Sequence, residues 1–148
     1  MVDSETKKVF VLDDNKAWLD LIKHTIIPHF SLRNVEFVLM TTEWREMLDH
    51  SEVSQASLFI IDYFLKNTPV KSRFPSLDMN ADITGMELAM TCKTLAPNAK
   101  VKIVTCGQSI VLEALSKNSE FLRVCEPKDI INKPLTLEVM KSVVKELS

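Results

Sequence analysis

Glycine is nearly missing from this chain, with Gly85 and Gly107 the only two among 148 residues. A cradle of backbone amides for phosphate needs several glycines in a fixed pattern, so neither a P-loop nor a dinucleotide fingerprint can be written here. Cysteine is also scarce: Cys92, Cys106 and Cys125 form no C-x-x-C pair and no zinc pattern. Reduced thiols in a cytoplasmic compartment are therefore expected. Neither sign of charge dominates, since 18 Lys+Arg against 20 Asp+Glu leave a net charge of −2. That balance offers no basic field for counterion-driven binding, and direct contact with nucleic acid is not expected. No apolar run approaches the roughly 20 residues that cross a bilayer. The opening MVDSETKK lacks the apolar core of a signal peptide, so neither membrane insertion nor secretion is expected.

What is present is an alternation of short β-branched runs with helix-period segments, the pattern of an α/β domain with a parallel sheet. One domain suits the length. Strands are predicted at Val9 to Leu12, Val35 to Met40, Leu58 to Asp62, Val101 to Thr105 and Asp129 to Asn132. Their apolar character suits strands covered on both faces. A first helix is expected to bury Trp18, Leu21, Ile22, Thr25 and Ile26 and to end at Pro28 and His29. Further helices are expected over Glu43 to His50, from Thr84 to Leu95, from Gln108, and from a Thr136 N-cap with Leu137, Met140, Val144 and Leu147 inward. Residues 66–82 read as a long loop. Residues 116–128 form an extended connection that suits an extra turn of helix or an irregular strand.

Polar residues concentrate at the carboxyl ends of these strands. Asp13 and Asp14 follow the first, Asp62 ends the third, Thr105 ends the fourth, and Lys133 follows the fifth. In an open parallel sheet those ends share one edge, where ligands bind. Clustered carboxylates repel unless a cation joins them, and Mg²⁺ prefers such hard oxygen ligands. With the metal present, Asp62 can attack a phosphoryl group as a carboxylate nucleophile. Lys133 and Thr105 then pair with phosphoryl oxygens.

The segments FVLDDN, FIIDYFL, IVTCG and INKPL, in this order, resemble the receiver domain of two-component response regulators from Lys8 to Leu147. The resemblance implies a flavodoxin-like, doubly wound five-stranded parallel sheet of order 2-1-3-4-5 with five helices. It implies that Asp62 accepts a phosphoryl group from a histidine kinase or a histidine phosphotransfer protein. Asp13, Asp14, Asp62 and the backbone carbonyl of Phe64 would hold Mg²⁺ or Mn²⁺, Thr105 would be the switch hydroxyl, and Lys133 would contact the phosphate. It further implies a cis Lys133-Pro134 bond and output through contacts with a downstream protein in the cytoplasm, so the chain is not expected to be a dedicated enzyme.

Departures from the family pattern carry their own expectations. Ile130 stands where many members have a Tyr or Phe that swings inward. Phe64 and Gly107 offer no polar side chain to orient water at the second positions after Asp62 and Thr105, so slow self-dephosphorylation is expected. Taken singly, Asp13 and Asp14 read as helix N-terminal acids, Lys133 as a surface lysine, and Thr105 as a strand former. Core packing is the expectation for Trp18 and Phe64, with shielding of the pocket as the alternative, and for Cys106; a solvated loop is expected for Lys66, Lys71 and Arg73, and no chemistry for His24, His29 and His50. Two rivals are a degenerate receiver acting as a binding scaffold and, more weakly, a metal-dependent phosphatase of the haloacid-dehalogenase kind. The latter wants D-x-D where this chain has Asp13, Asp14 and Asn15. A flavodoxin-like flavin protein is least expected, because acids after the first strand would repel the flavin phosphate.

Overall fold

Apolar strands and amphipathic helices assemble, in a computed structural model describing residues 6–13, 15–31, 33–40, 52–63, 85–117 and 119–147, into a sheet covered on both faces. In chain order the elements are β1 (Lys7–Leu12), α1 (Lys16–Thr25), β2 (Val35–Met40), β3 (Leu58–Asp62), α2 (Gly85–Leu95), β4 (Lys100–Thr105), α3 (Gln108–Lys117), α4 (Ser119–Leu122), β5 (Ile130–Asn132) and α5 (Leu137–Lys145). The five strands lie in the order β2-β1-β3-β4-β5, and every pairing is parallel. The expected architecture is the observed one.

Side-chain alternation along each strand sorts the core into two layers. Phe10 and Leu12 of β1, with Phe59 and Ile61 of β3, face Leu88, Ala89 and Cys92 of α2 and Val111 and Leu115 of α3. Val9 and Val11, with Leu58 and Ile60, face Leu19 and Ile22 of α1 and Met140, Val143 and Val144 of α5. Both faces of the central strands are thereby closed to water, and all five residues of β3 are buried. The Thr136 side chain accepts from Val139 N–H and so starts α5 as expected.

Several details differ from expectation. The first helix buries Leu19, Ile22 and Ile26 rather than the stripe through Leu21 and Thr25; Leu21 is 49% exposed. The helix is rotated so that residues i, i+3 and i+7 meet the sheet. It stops at Thr25 rather than at Pro28, which enters a separate 3-10 turn over Ile27–Phe30. Proline fits there because the first residues of a helical turn have no intrahelical acceptor. β1 and β4 begin earlier than predicted, at Lys7 and Lys100, and β5 begins one residue later, at Ile130. The connection over 116–128 contains the one-turn helix α4 and a 3-10 turn at Pro127–Asp129, which decides between the two forms expected of it. The helix expected over Glu43 to His50 and the loop over 66–82 lie outside the described residues.

Candidate functional site

The sheet register sets the site. Leu12 pairs with Ile61, Asp62 with Val104, and Thr105 with Asn132. Asp13, Asp62, Thr105 and Lys133 therefore stand along one edge, at the carboxyl ends of β1, β3, β4 and β5. Asp13 and Asp62 are 3% and 6% exposed, and Thr105 is fully buried.

Three of these side chains meet. The Lys133 Nζ lies 3.1 Å from Asp13 Oδ2 and 3.5 Å from Asp62 Oδ1. The other Asp13 oxygen, Oδ1, accepts from Asn15 N–H at 2.9 Å. Lys133 is anchored through its own amide, which donates to the Thr105 carbonyl at 3.0 Å, and the Lys133-Pro134 bond is cis, as expected. Thr105 turns its hydroxyl oxygen to the Gly107 N–H, which donates to it at 2.9 Å. Asp14 and Phe64, the other expected metal ligands, lie outside the described residues.

Electrostatics at this edge favour a charged lysine. Burial pushes the Lys133 ammonium toward its neutral form, but the charges of Asp13 and Asp62 and their hydrogen bonds outweigh that, leaving its pKa above the ordinary lysine value. Two carboxylates against one ammonium still leave one negative charge in this contact group. The donors are hard oxygens, and Mg²⁺ or Mn²⁺ suits such a set, commonly held by one or two carboxylates with water completing the shell. Among the described residues no group of three or more His, Cys, Asp or Glu could hold a metal. The described part of the site supplies two carboxylates, the donor type that such a cation takes.

Neither the cap made by Asn15 nor the burial of Lys102 was anticipated. Asn15 caps α1, its side chain accepting from Trp18 N–H at 3.1 Å. Trp18 places its ring centroid 5.7 Å from the Lys133 Nζ, so it borders the site rather than only packing the core. Its position five residues after Asp13, in the first turn of the following helix, was the available signal. Lys102 of β4 is 4% exposed, with its Nζ 2.6 Å from Asp129 Oδ1 and 3.1 Å from Glu146 Oε2. Asp129 immediately precedes β5 and Glu146 follows α5, so this cluster pins β4 to those two elements and belongs to the fold. Cys92 and Cys125 are buried, whereas Cys106, expected to pack in the core, is exposed; all three are free thiols. Burial pushes the Cys125 thiol up to about 12 and Cys92 higher still, which leaves both as packing residues.

No family model and no curated protein matches the sequence. Solved structures do match its shape. A CheY-like response regulator receiver domain protein from Methanospirillum hungatei JF-1 has a TM-score of 0.63 at 21% identity, covering 97% of this chain and 94% of that one. A response regulator receiver domain protein from Clostridium thermocellum gives 0.62 at 15%, covering 95% and 93%. The REC domain of AraT, a response regulator from Geobacillus stearothermophilus, gives 0.64 at 18%, covering 96% and 92%. The chain has the fold of a response regulator receiver domain.

Proposed function

We propose that this chain is a phosphoryl-accepting receiver of two-component signalling, with Asp62 as the acceptor. The observation that carries this reading is the placement of the Lys133 ammonium between the buried carboxylates of Asp13 and Asp62 at the carboxyl edge of a receiver-type sheet. A stability role alone explains it poorly, since buried ion pairs contribute little net stability.

In the proposed reaction a carboxylate oxygen of Asp62 attacks phosphorus on a phosphohistidine of a kinase or phosphotransfer protein. An O–P bond forms, the N–P bond breaks, and its electron pair goes to the imidazole, which leaves neutral because its other ring nitrogen already carries a proton. Asp62 then carries an acyl phosphate. Lys133 offers its ammonium to a phosphoryl oxygen, and its ion pairs keep it protonated for that task. Thr105 would donate its hydroxyl hydrogen to another oxygen, while its own oxygen accepts from the Gly107 amide. Asp13 and Asp62, with Asp14 and the Phe64 carbonyl, would hold Mg²⁺ or Mn²⁺. When bound, the metal supplies charge neutralisation for the phosphoryl oxygens.

The product is a signalling state rather than a turnover product, so the chain would be read by a downstream protein and not act as a dedicated enzyme. The cytoplasm is the compartment in which such a kinase would act. No helix among the described residues is long and apolar enough to cross a membrane.

The test is incubation with acetyl phosphate and Mg²⁺ followed by intact-mass measurement, with Asp62→Ala as the control. A single phosphoryl adduct absent from the variant is the expected result. Sustained phosphate release over many turnovers would instead favour a phosphatase, and neither adduct nor release would favour a scaffold.

A further inference from the structure

A closed circuit of four contacts surrounds the Lys133 ammonium. Its Nζ pairs with Asp13 Oδ2 at 3.1 Å, and Asp13 Oδ1 accepts from the Asn15 amide at 2.9 Å. Asn15 Oδ1 accepts from the Trp18 amide at 3.1 Å, and the Trp18 ring returns to Lys133 with its centroid 5.7 Å from Nζ. The carboxylate that binds the ammonium thus also fixes the cap of the helix that carries the ring.

We propose that Trp18 is a positioning residue for Lys133, holding the ammonium beside Asp62 by attraction to its aromatic face. This rests on the reading of Asp62 as phosphoacceptor. A lysine stem has four rotatable carbons and a compact charge, so ion pairing on one side leaves considerable freedom on the other. An indole face within about 6 Å removes part of that freedom, because the negative centre of its quadrupole attracts a cation. The ring is itself held, since its backbone is capped by Asn15 and its side chain packs against the apolar layer under α1 and α5. A leucine there would fill space without attracting the charge. Positioned in this way, Lys133 meets an incoming phosphoryl oxygen without first ordering its stem.

The test uses the full chain with acetyl phosphate and Mg²⁺, following adduct formation on Asp62 over time by intact mass. Trp18→Phe keeps an aromatic face and is expected to react within about twofold of the native protein. Trp18→Leu is expected to react about two- to fivefold more slowly, the range for a partly exposed cation and ring, with an unchanged Mg²⁺ concentration for half-maximal rate. A native rate in Trp18→Leu, or equal slowing in both variants, overturns the proposal while leaving Asp62 as acceptor. No adduct in the native protein overturns both readings. Fluorescence gives a check that does not depend on reaction or on Trp18 variants. With the second tryptophan removed by Trp44→Phe, Lys133→Met is expected to shift the emission of Trp18, and an unchanged spectrum also overturns the proposal.

Discussion

Lys133 reaches Asp13 across two intervening strands. The pair is 3.1 Å apart, yet β3 and β4 separate β1 from β5 in the sheet. A long side chain leaving the end of an outer strand therefore ties the site together over its central strands. Asp62, at the end of β3, lies beneath that reach at 3.5 Å.

Removing the ammonium takes from the buried carboxylates of Asp13 and Asp62 the cation they share. Lys133→Met is expected to lower stability by about 1–3 kcal/mol at pH 7 without divalent cations, because the variant strands the charges that the lysine compensated. Urea unfolding measures this, and an unchanged midpoint would show that other groups compensate Asp13 and Asp62.

Alkaline pH should weaken the fold in a defined order. For Lys102, burial favours the neutral form, but hydrogen bonds and charges from Asp129 and Glu146 prevail and raise its pKa; Lys133 behaves alike through Asp13 and Asp62. A lysine whose pKa is higher folded than unfolded contributes stability that is complete below the unfolded value and lost as pH rises through the folded one. That loss lies above about pH 10.4. The buried thiols act in the same direction but earlier, since the unfolded chain ionises them above about pH 8.5 while the folded chain keeps them protonated. Urea midpoints between about pH 8 and 12 should therefore fall in two stages, and Lys102→Met should flatten only the later one. A variant curve parallel to the native one throughout would refute the assignment.

Magnesium should stabilise the protein through the same carboxylates. A ligand that binds only the folded state at about a hundred times its Kd contributes about 2.7 kcal/mol. Thermal unfolding is expected to shift upward with Mg²⁺ in the native protein and to shift much less in Asp13→Asn and Asp62→Asn. Equal shifts in all three would place the metal elsewhere.

The positions of the strands and the residues at their ends were legible because both follow from short-range signals: apolar runs in helix-covered strands, and polar residues where those runs stop; the order of the strands in the sheet was implied only by the family resemblance. Leu58 to Asp62 was readable to the residue, since every side chain in it is buried. The burial of Lys102 was not. Its partners Asp129 and Glu146 lie 27 and 44 residues away, and only the β4 to β5 register and the return of α5 bring them to it. The inward face of α1 was misjudged for a related reason. Leu19, Leu21 and Ile22 are all apolar, and only contact with the sheet decides which of them turns outward. Trp18 could be assigned to the core by its spacing, but its approach to Lys133 depends on a residue at the far end of the chain.

In the proposed receiver, loss of a phosphoryl group from Asp62 would require a water held in line with the O–P bond, and neither the second residue after Asp62 nor the second after Thr105 has a polar side chain to hold one. Gly107 has no side chain to offer, and its N–H donates to Thr105 Oγ1. Phe64, two residues after Asp62, has no polar atom in its side chain. Hydrolysis of the phosphorylated protein is therefore expected to be slow. Phe64→Asn introduces an amide that can orient water and is expected to shorten the phosphoryl half-life about tenfold, below the range for a full general base. The measurement is decay of the intact-mass adduct after removal of the phosphodonor. A half-life in Phe64→Asn equal to or longer than the native one would mean that water access is limited by something other than the residues after Asp62 and Thr105.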